Sequence, residues 1–302
     1  MTTNPDQTTA PRWLSAAPAM FLVLWSLGFP VAKIGIGYAG PMTFLLLRYL
    51  IALVLLAPIA LFLRPTWPSR GIEWLHLAVV GFLIQGVYFG LCYAAFAFRT
   101  SAGVVALVVS LQPLFVAVVA SALLGEAIDF SGWAGLLLGL VGTVVVILAY
   151  ETHETVSAAG IACSVGALFG MVAATLYEKR FGKHHHPVTV NIVQYVIGLA
   201  AVLPLALVAE RFNVDWTVRF IASLAYLIIG NSLIAITLLL TMIRHGKASR
   251  VSALFYLVPP CAALLAWWLN GDKVPPLAWA GMIIAAAGVA LVTRARAQAK
   301  PV

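Results

Sequence analysis

The chain has 302 residues, 63% of them hydrophobic and only 9% charged, with a formal net charge of +8. A soluble domain carries about 25% charged residues, so a soluble fold is excluded. With it goes the reading of the positive charge as a nucleic-acid footprint, and no nucleic-acid partner is expected. A mean hydropathy of +1.02 places most of the surface against a lipid bilayer, and at roughly 20 residues per membrane helix the length holds about ten spans.

Residues 1–15 are polar, and the apolar run behind them is of spanning length with no processing site, so no cleaved signal peptide is expected. Apolar runs then fall at 16–37, 41–63, 73–97, 101–125, 131–150, 157–178, 187–209, 218–243, 248–269 and 276–294. Backbone polar groups in hydrocarbon must be paired within the segment, so each run is predicted to be a helix.

In helix 1, Trp25, Phe29 and Lys33 share a face by the i, i+4 rule, and Pro30 interrupts the backbone ladder. Helix 2 carries Arg48 inside the span. Two roles are open to it: snorkelling or satisfying helix-end carbonyls, or forming an electropositive site for a substrate carboxylate. Along helix 3, Gln85, Tyr88, Phe89, Cys92 and Phe96 fall on one face at α-helical spacing. Helix 4 places Ser110 and Gln112 near mid-membrane, just before Pro113. Asn231 in helix 8 and Tyr256 in helix 9 sit at similar depth, and Pro259 follows.

Amides and hydroxyls at mid-depth avoid lipid and face the bundle interior. Each one alone suits interhelical bonding; as a set with the aromatic residues they outline a cavity for a small, partly apolar ligand. Pro113 and Pro259 would free the carbonyls of Val109 and Phe255, and interrupted helices at matching positions point to a transport site as well as to packing kinks.

All ten Asp and Glu residues fall at span ends or in loops, and His76 and His245 lie near helix ends. A proton relay usually runs through buried acidic groups or His, so passive uniport is favoured over proton-coupled export. Cys92, Cys163 and Cys261 have no metal-ligand spacing, and His184-His185-His186 reads as a solvated loop, so neither metal nor cofactor is expected. Glycine pairs four apart at Gly86/Gly90, Gly135/Gly139 and Gly166/Gly170 predict close helix contacts.

The sequence also repeats itself 146 residues apart. Pro41 recurs as Pro187, Tyr49 as Tyr195, Pro113 as Pro259, Gly125-Glu126 as Gly271-Asp272, Trp133-Ala134-Gly135 as Trp279-Ala280-Gly281, and Gly142 as Gly288. Two units of five helices each are expected, residues 16–150 and 157–295. An odd number of spans inverts the second unit relative to the first. With the N-terminus in the cytoplasm, twelve Lys and Arg fall on the inner side and five on the outer, and both termini are predicted to be cytoplasmic.

Leu111-Gln112-Pro113, Leu124-Gly125-Glu126 and Trp133-Ala134-Gly135, with their counterparts at 257–259, 271–272 and 279–281, resemble the end of an EamA domain. Trp25, Lys33 and Arg48 resemble the opening pattern of the same family. The resemblance covers about residues 16–295 and implies the drug/metabolite transporter superfamily, with ten helices around a central substrate cavity. Within it the chain is most similar to bacterial amino-acid exporters of the YddG type. Two departures stand out: Asp272 where the pattern has Glu, and Gln194 where the second unit would carry the helix-2 Arg.

Other classes fit less well. The sequence has no pair of buried Asp for an intramembrane protease, no H-E-x-x-H and no G-x-S-x-G, so an enzyme is not expected. Lys33, near a helix end, is poorly placed for a retinal Schiff base, and no filter-like loop marks a channel. The expectation is an all-α inner-membrane carrier that exports amino acids, aromatic and hydrophobic ones favoured, or similar metabolites by alternating access. The alternative is a proton-coupled exporter of another amphipathic metabolite or drug.

Overall fold

The computed structural model describes residues 16–112, 114–116, 119, 130–151, 157–182, 185–235, 238, 258–271 and 273–298. Pro113 and Tyr256 lie outside them. Among the described residues the elements are α1 (Ala17–Gly35), α2 (Pro41–Leu63), α3 (Gly71–Ala97), α4 (Ala102–Ser110), α5 (Phe130–Glu151), α6 (Ala158–Phe181), α7 (Pro187–Val208), α8 (Val218–Ala235), α9 (Val258–Asn270) and α10 (Pro276–Gln298). The described part of α1, α2, α3, α6, α7 and α8 is long and apolar enough to cross a bilayer; α4, α5, α9 and α10 contribute shorter apolar stretches. Side chains such as Phe62 and Phe130, 87% and 89% exposed, cover the outside, as a lipid-facing surface requires.

Helix starts are fixed by side-chain caps. The hydroxyls of Ser101, Ser157 and Thr217 accept from the amides of Val104, Gly160 and Phe220 at the first turns of α4, α6 and α8. The α2 start is capped from a distance: the Glu210 carboxylate accepts from the amides of Met42 at 2.9 Å and Thr43 at 2.7 Å. Anions favour that end of a helix because its orphan N–H groups carry partial positive charge.

Two faces of the bundle follow from which loops meet. At one end the α1–α2 connection joins the α7–α8 connection, through the Glu210 cap, an antiparallel bridge between Ala39 and Val214, and a 2.8 Å bond from the Asp215 amide to the Tyr38 carbonyl. At the other end the α2–α3 and α6–α7 connections meet: the Thr189 hydroxyl donates to the Thr66 carbonyl at 2.9 Å. His76 in α3 bonds Tyr177 of α6 at 2.9 Å there and stacks on Phe181, ring centroids 5.0 Å apart.

The tightest seam joins α5 and α10. A Cβ built on Gly142 would stand 2.6 Å from the Gly281 carbonyl oxygen, and one built on Gly288 would stand 2.5 Å from that of Gly135. Numbering rises from 281 to 288 along α10 as its partner falls from 142 to 135, so the two helices run antiparallel. Across the middle, Tyr49 of α2 stacks on Tyr195 of α7 at 5.6 Å. The predicted close contacts at Gly86, Gly139, Gly166 and Gly170 are also present: each meets a neighbouring helix, at Ala201, Leu114, Leu91 and Val87.

Helix 3 departs from the expected regular α-helix. Residues Phe82–Tyr88 form a π-helical segment, and α8 carries another at Leu227–Ala235. Shifted by 146, the first span becomes 228–234, inside the second. π segments are rare and occur frequently at functional sites.

Candidate functional site

A cavity is lined by four helices. The α1 face contributes Trp25, Gly28, Phe29 and Ala32; α2 contributes Arg48; α3 contributes Tyr88, Phe89, Cys92, Tyr93 and Phe96; α8 contributes Leu227 and Asn231. The space is narrow, about 30 Å³, room for one or two waters. A ligand the size of an amino acid enters only if the helices move apart.

Helix 1 shapes the rim. Pro30 lies buried inside α1 and has no N–H for the Ser26 carbonyl. Two residues earlier, the Leu24 carbonyl accepts from the Tyr226 hydroxyl at 2.8 Å and from the Asn231 amide at 3.5 Å. Gly28 leaves room for that amide, because a Cβ there would collide with the Asn231 side chain.

Arg48 is the one charged residue among the described residues of this lining. Its side chain is 2% exposed, so it does not snorkel. Nη1 donates to the Tyr93 hydroxyl at 3.1 Å and Nη2 to the Ser232 hydroxyl at 2.9 Å. The guanidinium also lies 4.7 Å from the centre of the Phe89 ring. Among the described residues, Nε is buried with no hydrogen-bond partner. The Ser232 hydroxyl donates in turn to the Leu227 carbonyl five residues back, at 3.0 Å, so the π segment of α8 sets its position. Every described contact to this charge is neutral.

The neighbouring Tyr49 points the other way. Its hydroxyl donates to the Gln85 carbonyl at 2.8 Å, satisfying a backbone acceptor within the π segment of α3. Gln85 itself is buried beside Gly198 and Tyr49 and does not line the cavity, although Tyr88, Phe89, Cys92 and Phe96 do. The reason is local: i→i+5 bonding turns the chain less per residue than an α-helix, so Gln85 leaves the stripe that α-helical spacing assigns to it.

Other expected residues also stand apart from the cavity. The Ser110 hydroxyl donates to its own helix at the Leu107 carbonyl, 2.7 Å away, and Gln112 donates to the Thr175 hydroxyl of α6 at 2.9 Å. These are the interhelical and intrahelical bonds that compete with ligand binding. Lys33 lies half-buried in the last turn of α1, where a cation suits the helix end, and Pro259 is buried within the described part of α9. Trp25, Phe29, Arg48, Tyr88, Phe89 and Asn231 are therefore brought together. Tyr93 and Ser232, the two hydroxyls on Arg48, are additions. Tyr93 follows Phe89 by four residues and was readable from that spacing; Ser232 was not, since only the wide π turn aims it at Arg48. Gln85 and Asn231 are 146 apart, so the repeat itself pairs the two amides of the two π segments.

The chain matches a model of the EamA-like transporter family twice, over residues 12–148 and 158–294. It is 26% identical to the uncharacterised transporter YvbV of Bacillus subtilis over 288 residues, 93% of this chain and 92% of that protein. It is 24% identical to a probable amino-acid metabolite efflux pump of Salmonella typhimurium over 282 residues, 89% and 91% of the two chains. A solved crystal structure superposes with a TM-score of 0.62 over 94% of this chain and 98% of its own, at 19% sequence identity, which speaks to the fold alone.

Proposed function

The chain belongs to the EamA-like transporter family, and within that family we propose that it is a ten-helix carrier that exports amino acids or amino-acid metabolites with an apolar or aromatic body, by alternating access. The observation that carries the reading is Arg48, a buried guanidinium with neutral partners at the edge of an aromatic cavity. Buried charges are normally paired, so a carboxylate-bearing substrate completes the site. Trp25, Phe29, Tyr88 and Phe89 wall the space for its apolar part, and Asn231 supplies an amide. A relative's name, amino-acid metabolite efflux pump, supports the same substrate class.

Alternating access rests on two inverted units. Connections 146 residues apart occupy opposite ends of the bundle: that between α1 and α2 meets α7–α8, while its counterpart between α6 and α7 meets α2–α3. The antiparallel α5–α10 seam supports the inversion from its glycines. The π segments of α3 and α8 both border the cavity, and they are the natural hinges because their backbone bonding is already irregular. Neither Asp nor Glu is among the described residues that line the cavity, which favours uniport over a carboxylate proton relay. In this reading the termini are cytoplasmic.

Purified protein in liposomes, given a panel of labelled amino acids with and without a pH gradient, tests this. The expected result is saturable uptake of aromatic and large apolar amino acids or their metabolites, unchanged by the gradient. Uptake of none of them overturns the substrate class; strict dependence on the gradient overturns uniport.

A further inference from the structure

Resting on the part of that reading in which Arg48 takes a substrate carboxylate, we infer that the cavity prefers amino-acid metabolites over the amino acids themselves: amphipathic monoanions with one carboxylate and an aromatic or apolar body but no ammonium group. The buried Arg48 fork is only partly used. Tyr93 takes one hydrogen at Nη1 and Ser232 takes one at Nη2, while Nε is buried with no hydrogen-bond partner among the described residues. A guanidinium has five N–H donors. The edge formed by Nε and Nη2, unpartnered at Nε, is therefore the side on which a carboxylate can be held by two parallel hydrogen bonds once the helices part.

The site offers a zwitterion much less. An α-ammonium sits on the carbon next to the carboxylate, so binding the carboxylate brings that second positive charge close to Arg48. No carboxylate in the described lining compensates that charge, and the described acidic residues Glu73, Glu151, Glu178, Glu210 and Asp215 lie near helix ends or in connections. The ring nearest the charge, Phe89, already has Arg48 over its face at 4.7 Å. Its ring neighbours are Tyr88 at 4.8 Å and Tyr93 at 6.4 Å, both edge to face. Asn231 is held toward the Leu24 carbonyl by its own amide N–H at 3.5 Å. A carboxylate without an ammonium neutralises the buried charge; a zwitterion leaves the net charge of the site at +1.

Three probes share one body and differ only in charge: 3-phenylpropionate (carboxylate alone), L-phenylalanine (carboxylate and ammonium) and 3-phenylpropanamide (neither). Binding of each to the full-length protein in nanodiscs near pH 7.5 is read by isothermal titration. The expected order is 3-phenylpropionate first, by about tenfold or more over both others. Arg48→Met should reduce its affinity to that of the amide, and Arg48→Lys should retain part of the preference as a point charge without the fork. The wild-type comparison decides even if a variant fails to fold. Phenylalanine binding as tightly as phenylpropionate overturns the inference and leaves the amino-acid carrier standing. Phenylpropionate no tighter than its amide overturns Arg48 as the selector. Binding of none of the three overturns the inference together with the reading it rests on.

Discussion

Arg48 sits where stability and function part. Burying a guanidinium without a carboxylate costs free energy, and replacing buried charge by an apolar group of similar size is often neutral or stabilising. Arg48→Met should therefore leave the thermal unfolding midpoint in detergent unchanged or raise it, while flux in liposomes falls by about tenfold or more, roughly 1.4 kcal/mol of lost interaction. A lowered midpoint with flux retained would make Arg48 structural. The residue was readable in the sequence as an in-span charge, but its choice between membrane edge and interior was not. That choice depends on Tyr93 from α3 and Ser232 from α8 arriving on either side of it, and both are tertiary facts. Gln85 shows the opposite failure: a polar residue at the right depth, turned out of the cavity by a backbone irregularity with no sequence signature that helical spacing could catch.

Between helices, small residues decide the packing. The α5–α10 seam is built backbone against backbone, and the repeat makes its two crossings equivalent: Gly142 against Gly281, and Gly288 against Gly135. A branched side chain has no room at either, and overpacking costs typically 1–3 kcal/mol. Gly142→Val and Gly288→Val should each lower the thermal midpoint, and by similar amounts, because each strikes the same kind of backbone neighbour. A large effect at one and none at the other would break the equivalence. The sequence showed these glycines as recurring letters but did not show that they touch one another; they were open to being read as contacts with any neighbour. The caps at Ser101, Ser157 and Thr217 follow ordinary N-cap chemistry and are local. Glu210 is not: it caps α2 from 167 residues away along the chain, and nothing near either position announces it.

At the scale of the molecule, composition and the 146-residue repeat carry most of the architecture. Low charge and long apolar runs leave only helices as spanning elements, and the recurrence of Pro41 at Pro187 and of Trp133 at Trp279 marks matching helix starts. The narrowness of the cavity was not legible, since it depends on how closely α1, α2, α3 and α8 approach. If the two units face opposite ways, equivalent positions open to opposite sides of the membrane. Ser69 and Asp215 are such a pair, both exposed in connections of the bundle. Each can be replaced by cysteine in a background without Cys92, Cys163 and Cys261 and treated with a membrane-impermeant maleimide. Ser69→Cys should label only after the cells are permeabilised and Asp215→Cys should label in intact cells; labelling of both from the same side would contradict the inverted arrangement and the alternating-access account built on it.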